Sequence, residues 1–253
     1  MSRTTRPLLI CATAAAMLLG GAVAPAAAGV ARASSQTITP EDLLPDLQIE
    51  PLNDFRVQIL DGRRILRFTS TIANLGDGPL ELAATRSSTS TPDLAVVQHV
   101  YQPNGGYEPV PSTAVIRFSE DDRHRWNLTE AAGYTLEVPG EEAPRVTHAV
   151  DLCLTDETRL IGTAEARSYS CRAGRPDSRS VTEGLSVGWS TSNRSYFPDQ
   201  RVDLGGLPLP GQYCVTATAD PRKKLSEKTT ENNAASSLLD ITSNSVTVLT
   251  PGC

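Results

Sequence analysis

The chain has 253 residues, 39% of them hydrophobic and only 5% aromatic, with a formal net charge of −6. That acidity argues against nucleic acid or an anionic membrane surface as partner. Twenty arginines stand against three lysines, Lys223, Lys224 and Lys228, a bias that with abundant alanine points to a GC-rich bacterial coding sequence.

Residues 1–33 read as a secretory signal: Arg3 and Arg6 begin it, Leu8 to Val23 form an apolar core, and small residues close it. Ala26-Ala27-Ala28 and Ala31-Arg32-Ala33 both offer cleavage sites, the second leaving Ser34 as the new amino terminus. Glycines interrupt the apolar stretch and no second span follows, so a membrane anchor is the weaker reading. Removing residues 1–33, which hold Arg3, Arg6 and Arg32 and no acidic residue, leaves 220 residues and takes the formal charge from −6 to −9. The remainder, 34–253, suits one domain with a sizeable core.

Along that remainder the apolar segments are short and rich in Val, Ile, Leu, Tyr and Phe. Arg64 to Phe68, Ala114 to Phe118, Tyr134 to Val138, Ala149 to Leu154, Tyr213 to Ala217 and Val246 to Leu249 each read as a strand. Turn clusters separate them at Asn74 to Pro79, Pro103 to Gly106 and Gly205 to Gly211. Arg86 to Pro92 and the arginine-rich Arg172 to Thr182 read as surface loops, and the acidic run Ser119 to Asp122 as a solvated strand entry with no role of its own. No amphipathic helical period appears after the signal, so the expected fold is an all-β sandwich with long loops.

Four cysteines follow the signal: Cys153, Cys171, Cys214 and Cys253. Their spacing is not of the CxxC kind that holds zinc, and an even number in an exported chain points to two disulfides, with three connectivities open. The first choice joins Cys153 to Cys171 across a short polar excursion and so leaves Cys214 with Cys253.

Seven segments in order carry a resemblance. They are Leu44-Pro45-Asp46-Leu47; Arg64 to Phe68 leading into Ile72 to Leu82; Arg123 to Leu128; Leu152-Cys153-Leu154-Thr155-Asp156; Glu183 to Ser190; Gln200 to Asp203; and Gly211-Gln212-Tyr213 with Asp220-Pro221, Leu225, Glu227 and Asn232-Asn233. Together, from about Leu44 to about Asn233, they resemble bacterial members of the lysyl oxidase family. The resemblance implies a lysyl-oxidase-like β-sandwich. For an intact member it also implies a copper ion, a lysine tyrosylquinone cofactor and oxidative deamination of peptidyl lysine or small primary amines with oxygen.

The chain departs from the family where that chemistry resides. The family's copper strand carries three histidines at alternate positions with an aromatic residue before the last, and Trp126 sets the register. The three ligand positions then fall on Arg123, Arg125 and Asn127. Alternate residues of a strand share a face, so three such ligands can close on one ion. Guanidinium has no lone pair to offer and repels a cation. By the same resemblance the lysine and tyrosine of the quinone fall on Ala149 and Asn193, which cannot form the crosslink. The expectation is a secreted pseudoenzyme without cofactor, acting by binding an extracellular protein or polymer. The copper amine oxidase remains the alternative, and an adhesion-type sandwich that only echoes the family is a third reading.

Other constellations have plainer readings beside them. Arg123 and Arg125 could clamp a carboxylate in the two-pronged manner of guanidinium, or simply pair with the neighbouring acids, which is the preferred reading. His99, His124 and His148 could meet as a three-histidine metal site only if three segments converged, and ordinary surface or hydrogen-bonding histidines are expected. No G-x-S-x-G elbow accompanies any serine. Trp126 and Trp189 are expected in the core rather than as ligand platforms. Asn127-Leu128-Thr129 and Asn193-Arg194-Ser195 fit the glycosylation pattern, which matters only in a eukaryotic secretory route.

Overall fold

The computed structural model describes residues 38–121, 123–141 and 144–253; the expected signal and Asp122 lie outside them. Fifteen strands and no helix occur among the described residues. The first five are β1 (Leu47–Ile49), β2 (Asn53–Leu60), β3 (Arg63–Asn74), β4 (Leu80–Thr85) and β5 (Asp93–Tyr101). Next come β6 (Tyr107–Phe118), β7 (Trp126–Glu137), β8 (Val146–Leu152), β9 (Thr158–Arg159) and β10 (Ser180–Leu185). The last are β11 (Trp189–Asn193), β12 (Val202–Asp203), β13 (Gly211–Ala219), β14 (Ala234–Ile241) and β15 (Val246–Pro251).

They form two antiparallel sheets. In the smaller, β3 is the spine: its first half pairs with β2 and β12, its second with β1 and β11, and β9 extends β11. The larger runs β10-β4-β5-β6-β7-β13-β14-β15, with β8 also on β7. Alternation decides which way each strand faces. In β4, Leu80, Leu82 and Ala84 are buried while Glu81 and Ala83 turn outward. The inner faces meet where Phe68 of the smaller sheet packs edge-on against Tyr134 of the larger, ring centroids 4.9 Å apart. Trp126, Tyr134, Tyr213, Phe68 and a set of Leu and Ile side chains fill this interior. The fold is therefore the all-β sandwich that the short strands and turn clusters imply.

Polar contacts fasten the ends of the domain. The Leu47 N–H donates to Glu227 Oε2 at 2.9 Å, Asn232 Nδ2 to Asp46 Oδ1 at 3.0 Å, and Asn233 Nδ2 to Glu227 Oε1 at 3.0 Å. Gln98, buried in β5, exchanges two 2.8 Å bonds with the backbone of Ser226, so an amide side chain completes a ladder step that the loop lacks.

The cysteines pair as Cys153–Cys171 and Cys214–Cys253, with Cα atoms 5.9 and 6.0 Å apart. The first closes a separation of 18 residues around the polar excursion that contains β9. Replacing Cys153 and Cys171 with alanine is expected to cost ~3 kcal/mol, through the freedom regained by the unfolded chain, seen as a lower urea midpoint.

Several boundaries differ from the expectation. Asn74 closes β3 and Gly211 opens β13, although both lie in turn clusters. The end of the arginine-rich loop, Ser180 to Thr182, belongs to β10, because Val181 alternates into the core and pairs with Ala84. β7 begins only at Trp126, so Arg123 and Arg125 precede the strand. Asp121 makes the turn there: its carboxylate accepts the Arg123 N–H at 3.0 Å and its carbonyl the His124 N–H at 2.9 Å, with His124 at φ +42°.

Candidate functional site

The turn before β7, strand β8 and the loop after β11 enclose a cleft of about 400 Å³. Arg123, Asn127 and Ala149 line it together with Asp121, His148 and Asp199. Three of the five positions singled out in the sequence thus share one wall system. Arg125 joins them indirectly, its Nε donating to Asn127 Oδ1 at 3.1 Å. Asn193 does not line the cleft: it is fully buried behind the loop. Its Nδ2 donates to Gln200 Oε1, which also accepts the Tyr134 hydroxyl at 2.7 Å, and Tyr134 Oη lies 2.6 Å from Ser70 Oγ. Asn193 Oδ1 and Gln200 Nε2 in this network have no protein partner.

Arg123 is the centre of the cleft, with a side chain only 13% exposed. Its Nη2 donates to Asp121 Oδ2 at 3.0 Å and to Asp199 Oδ2 at 2.6 Å, and its guanidinium lies 4.8 Å from the Phe197 ring centroid. The preferred expectation, arginine paired with acids, holds for Arg123. One of those acids comes from the run Ser119 to Asp122 that was given no role: Asp121 caps the turn and neutralises the arginine, which corrects that reading. Burial pushes the Asp121 carboxyl up, but the Arg123 N–H and guanidinium outweigh it and hold the carboxyl below its ordinary range. Arg125 is pulled below the ordinary arginine value by burial first and by the Arg123 charge second.

Arg67 props the far wall from beneath. Buried in β3, it donates through Nη1 to the carbonyls of Phe197 at 2.7 Å and Gln200 at 3.3 Å, and through Nε to Gln58 Oε1 at 2.8 Å. His148 Nε2 lies 3.1 Å from the Asp199 carbonyl oxygen. A loop so braced presents its side chains in fixed positions. Two of the groups it brings together remain unsatisfied: Arg123 Nη1 and Asp199 Oδ1 are buried atoms without a protein partner. One donor and one acceptor are therefore left over from the same ion pair.

Asp199 and Arg201 draw no functional reading from the sequence, and His148 only the three-histidine metal reading, which the fold does not assemble among the described residues. Tyr196-Phe197-Pro198-Asp199, an aromatic pair followed by proline and an acid, was the available signal, and it is legible only once the loop is known to cross β7. The three histidines have separate surroundings. His99 Nδ1 sits 2.7 Å from Glu81 Oε1 and its ring stacks on Tyr107, His148 lines the cleft, and His124 is exposed. Among the described residues no three His, Cys, Asp or Glu side chains gather as a metal-ligand set. Asn127 and Asn193, the two glycosylation-pattern asparagines, are 2% and 0% exposed, so neither amide can carry a glycan in this fold. Trp126 is a core residue whose Nε1 donates to the Arg175 carbonyl at 2.9 Å, while Trp189 is only partly buried.

Burial in the same neighbourhood also sets the protonation of Glu183. This β10 carboxyl is wholly enclosed and is pushed up to about 8 by desolvation. Compared with known proteins, the chain matches no protein-family model and no curated protein.

Proposed function

We propose that this chain is a secreted, lysyl-oxidase-like β-sandwich in which binding has replaced oxidation, an extracellular module without copper or quinone. One observation carries the reading: where the resemblance calls for a copper ligand, Arg123 stands in a half-buried ion-pair triad with Asp121 and Asp199. A cation entering there would meet a fixed positive charge and would have to break two charge-assisted hydrogen bonds. Asn127 Oδ1 is already engaged by Arg125. The quinone positions support the same view. Ala149 is exposed on the cleft wall and Asn193 is sealed in the Tyr134 network, so neither side chain can supply the amine or phenol of a crosslink. Without a quinone there is no carbonyl to form a Schiff base with a substrate amine. Two disulfides fit an oxidising, extracellular setting.

The test is to express the full chain with export in copper-supplemented medium and measure metal content, redox-cycling quinone staining and peroxide release with an alkylamine. Copper far below one ion per chain, no stain and no peroxide are expected. Stoichiometric copper with a quinone signal would establish the amine oxidase instead.

A further inference from the structure

On the smaller sheet, Val57, Leu66 and Val202 turn toward the core, so their neighbours along each strand turn outward. Arg56 of β2 stands directly opposite Arg67 of β3, and Val202 of β12 stands opposite Leu66 from the other side. Arg201, one residue before Val202, therefore falls beside Arg67 on the outer face. Three arginines from three chain segments thus form a row across the sheet. Like charges set opposite one another on a sheet repel, so the row costs stability as it stands. Among the described residues none of the three has an acid within ion-pair distance. Asp199, the acid that acts most on Arg67, is already held by Arg123 at 2.6 Å.

The middle arginine is built into the fold. Arg67 is only 6% exposed, and a guanidinium carries five N–H donors. Three are used: Nε donates to Gln58 Oε1 at 2.8 Å, and Nη1 to the carbonyls of Phe197 at 2.7 Å and Gln200 at 3.3 Å. All three acceptors are neutral. Both hydrogens of Nη2 are left without a partner among the described residues, and unlike Arg123 Nη1 this nitrogen is not sealed from solvent. Burial first, then the charges of Arg56 and Arg201, hold the Arg67 guanidinium below the ordinary arginine range. A buried charge satisfied only by neutral acceptors is costly, and a counter-ion would relieve it.

The surroundings leave room for one. Ile65, two residues before Arg67 on the same face, lines the cleft of about 530 Å³ that Arg201 also lines. Of the acids in that cleft, Asp203 is matched by Arg63 at 3.3 Å, and Asp61 lies in the turn after β2, roughly 16 Å along the strand from Arg56. Arg56 and Arg201 are exposed, and neighbouring strands are only about 4.8 Å apart, so both long side chains can close on an anion seated at Arg67. A carboxylate has two oxygens to offer three guanidinium groups. A phosphate group has at least three, and up to two charges.

We propose that the row Arg56, Arg67 and Arg201 is a binding site for a tetrahedral oxyanion, a phosphate group, seated on Arg67 Nη2 and clasped by the two flanking arginines. This goes beyond the binding reading given above and does not depend on it, since none of the three residues holds a copper or quinone position.

The test is calorimetry of the exported full-length protein in phosphate-free, low-salt buffer, titrated with inorganic phosphate, glycerol 3-phosphate and acetate. Saturable binding of one phosphate per chain is expected, with a Kd below about 1 mM, weakened as salt is added, and with acetate about tenfold weaker or worse. Binding of inorganic phosphate alone assigns the site to the free ion, and equal binding of glycerol 3-phosphate assigns it to an esterified phosphate; either result supports the proposal. Arg56→Gln and Arg201→Gln, at exposed positions without ion pairs, should each weaken phosphate binding roughly tenfold while thermal melting shows the fold retained. Phosphate should raise the melting temperature of the parent but not of the double variant. Arg222→Gln, the same change of charge at the Glu130 ion pair, is the control and should bind like the parent.

Absence of saturable phosphate binding by the parent overturns the proposal, as does acetate binding as tightly as phosphate. Parent-like binding by the double variant, or an equal loss in Arg222→Gln, overturns it as well, since the anion would then answer to overall charge or to another place on the surface.

Discussion

Glu183→Gln is expected to stabilise the protein at alkaline pH and to flatten much of its stability profile between about pH 5 and 9. Glu183 faces inward from β10; its Oε2 accepts the Leu154 N–H at 3.2 Å, and its Oε1 has no partner. Burial lifts the carboxyl to about 8, with the backbone N–H groups of Leu154 and Leu128 and the Arg125 charge opposing only in part. In the unfolded chain the same group titrates near an ordinary glutamate value of about 4.5. Between those two values the folded protein keeps a proton that the unfolded chain has released. This contribution therefore stabilises the fold fully at the acidic end, falls as pH rises and is gone above pH 8. At ~1.4 kcal/mol per unit the difference is on the order of 4–5 kcal/mol.

Glutamine keeps the acceptor for the two N–H groups and has no charge to bury, so the variant should match the parent near pH 5 and exceed it by several kcal/mol near pH 9. Glu227, pushed up to about 7 by burial, acts with the same sign and remains in the variant, which is why some slope should persist. Urea midpoints measured across the pH range decide the matter. Parallel profiles for parent and variant would mean that Glu183 is not the enclosed acid described here.

Asn74→Ala should be among the most damaging single changes outside the apolar core. The Asn74 side chain is completely buried and every hydrogen-bonding direction it has is used. Its Oδ1 accepts the N–H of Asp46 at 3.1 Å and of Gly76 at 3.0 Å, and its Nδ2 donates to the carbonyls of Gly78 and Leu185, both at 2.9 Å. Four backbone groups from three separated segments thus converge on one amide. The turn that follows is equally tight: a Cβ on Gly78 would lie 2.0 Å from the Leu43 carbonyl oxygen. Truncation at Asn74 leaves two donors and two acceptors enclosed without partners, each costing about 1–3 kcal/mol. Some relaxation will occur, so a loss on the order of 4 kcal/mol is expected, enough to unfold a substantial fraction of a marginally stable domain. Asn244→Ala, in the exposed turn before β15, is the control and should change stability by under about 0.5 kcal/mol. A loss below ~1 kcal/mol at Asn74 would show that the junction holds together without it.

Asn74 also illustrates how far the sequence could be read. Asn74-Leu75-Gly76-Asp77-Gly78-Pro79 was legible as a turn because glycine, proline and asparagine punctuate chains for local reasons. That the same asparagine would tie Asp46 to Leu185 was not legible, since those partners lie 28 and 111 residues away. Six strand segments followed from short runs of Val, Ile, Leu, Tyr and Phe between turn clusters, and the favoured disulfide pairing from the spacing of the cysteines. Alternation failed at Arg123 and Arg125, where the local preference of Asp121 for capping a turn delayed the strand until Trp126. Glu183 shows the opposite limit: a glutamate in a strand normally reads as an outward residue, and only its register opposite Leu82 puts it inside.

The amino-acid sequence alone was sufficient for the all-β class and for the positions of several strands and turns. These properties are local or compositional, written in neighbouring side chains and their period along a strand. Only the tertiary structure could decide that Arg123 is matched by Asp199 from 76 residues away, that Asn193 is sealed beneath a loop, and that a donor and an acceptor of the same ion pair are buried without protein partners. Ion pairing, burial and unmet hydrogen bonds depend on which distant segments the two sheets bring within a few ångströms, and no spacing along the chain encodes that distance.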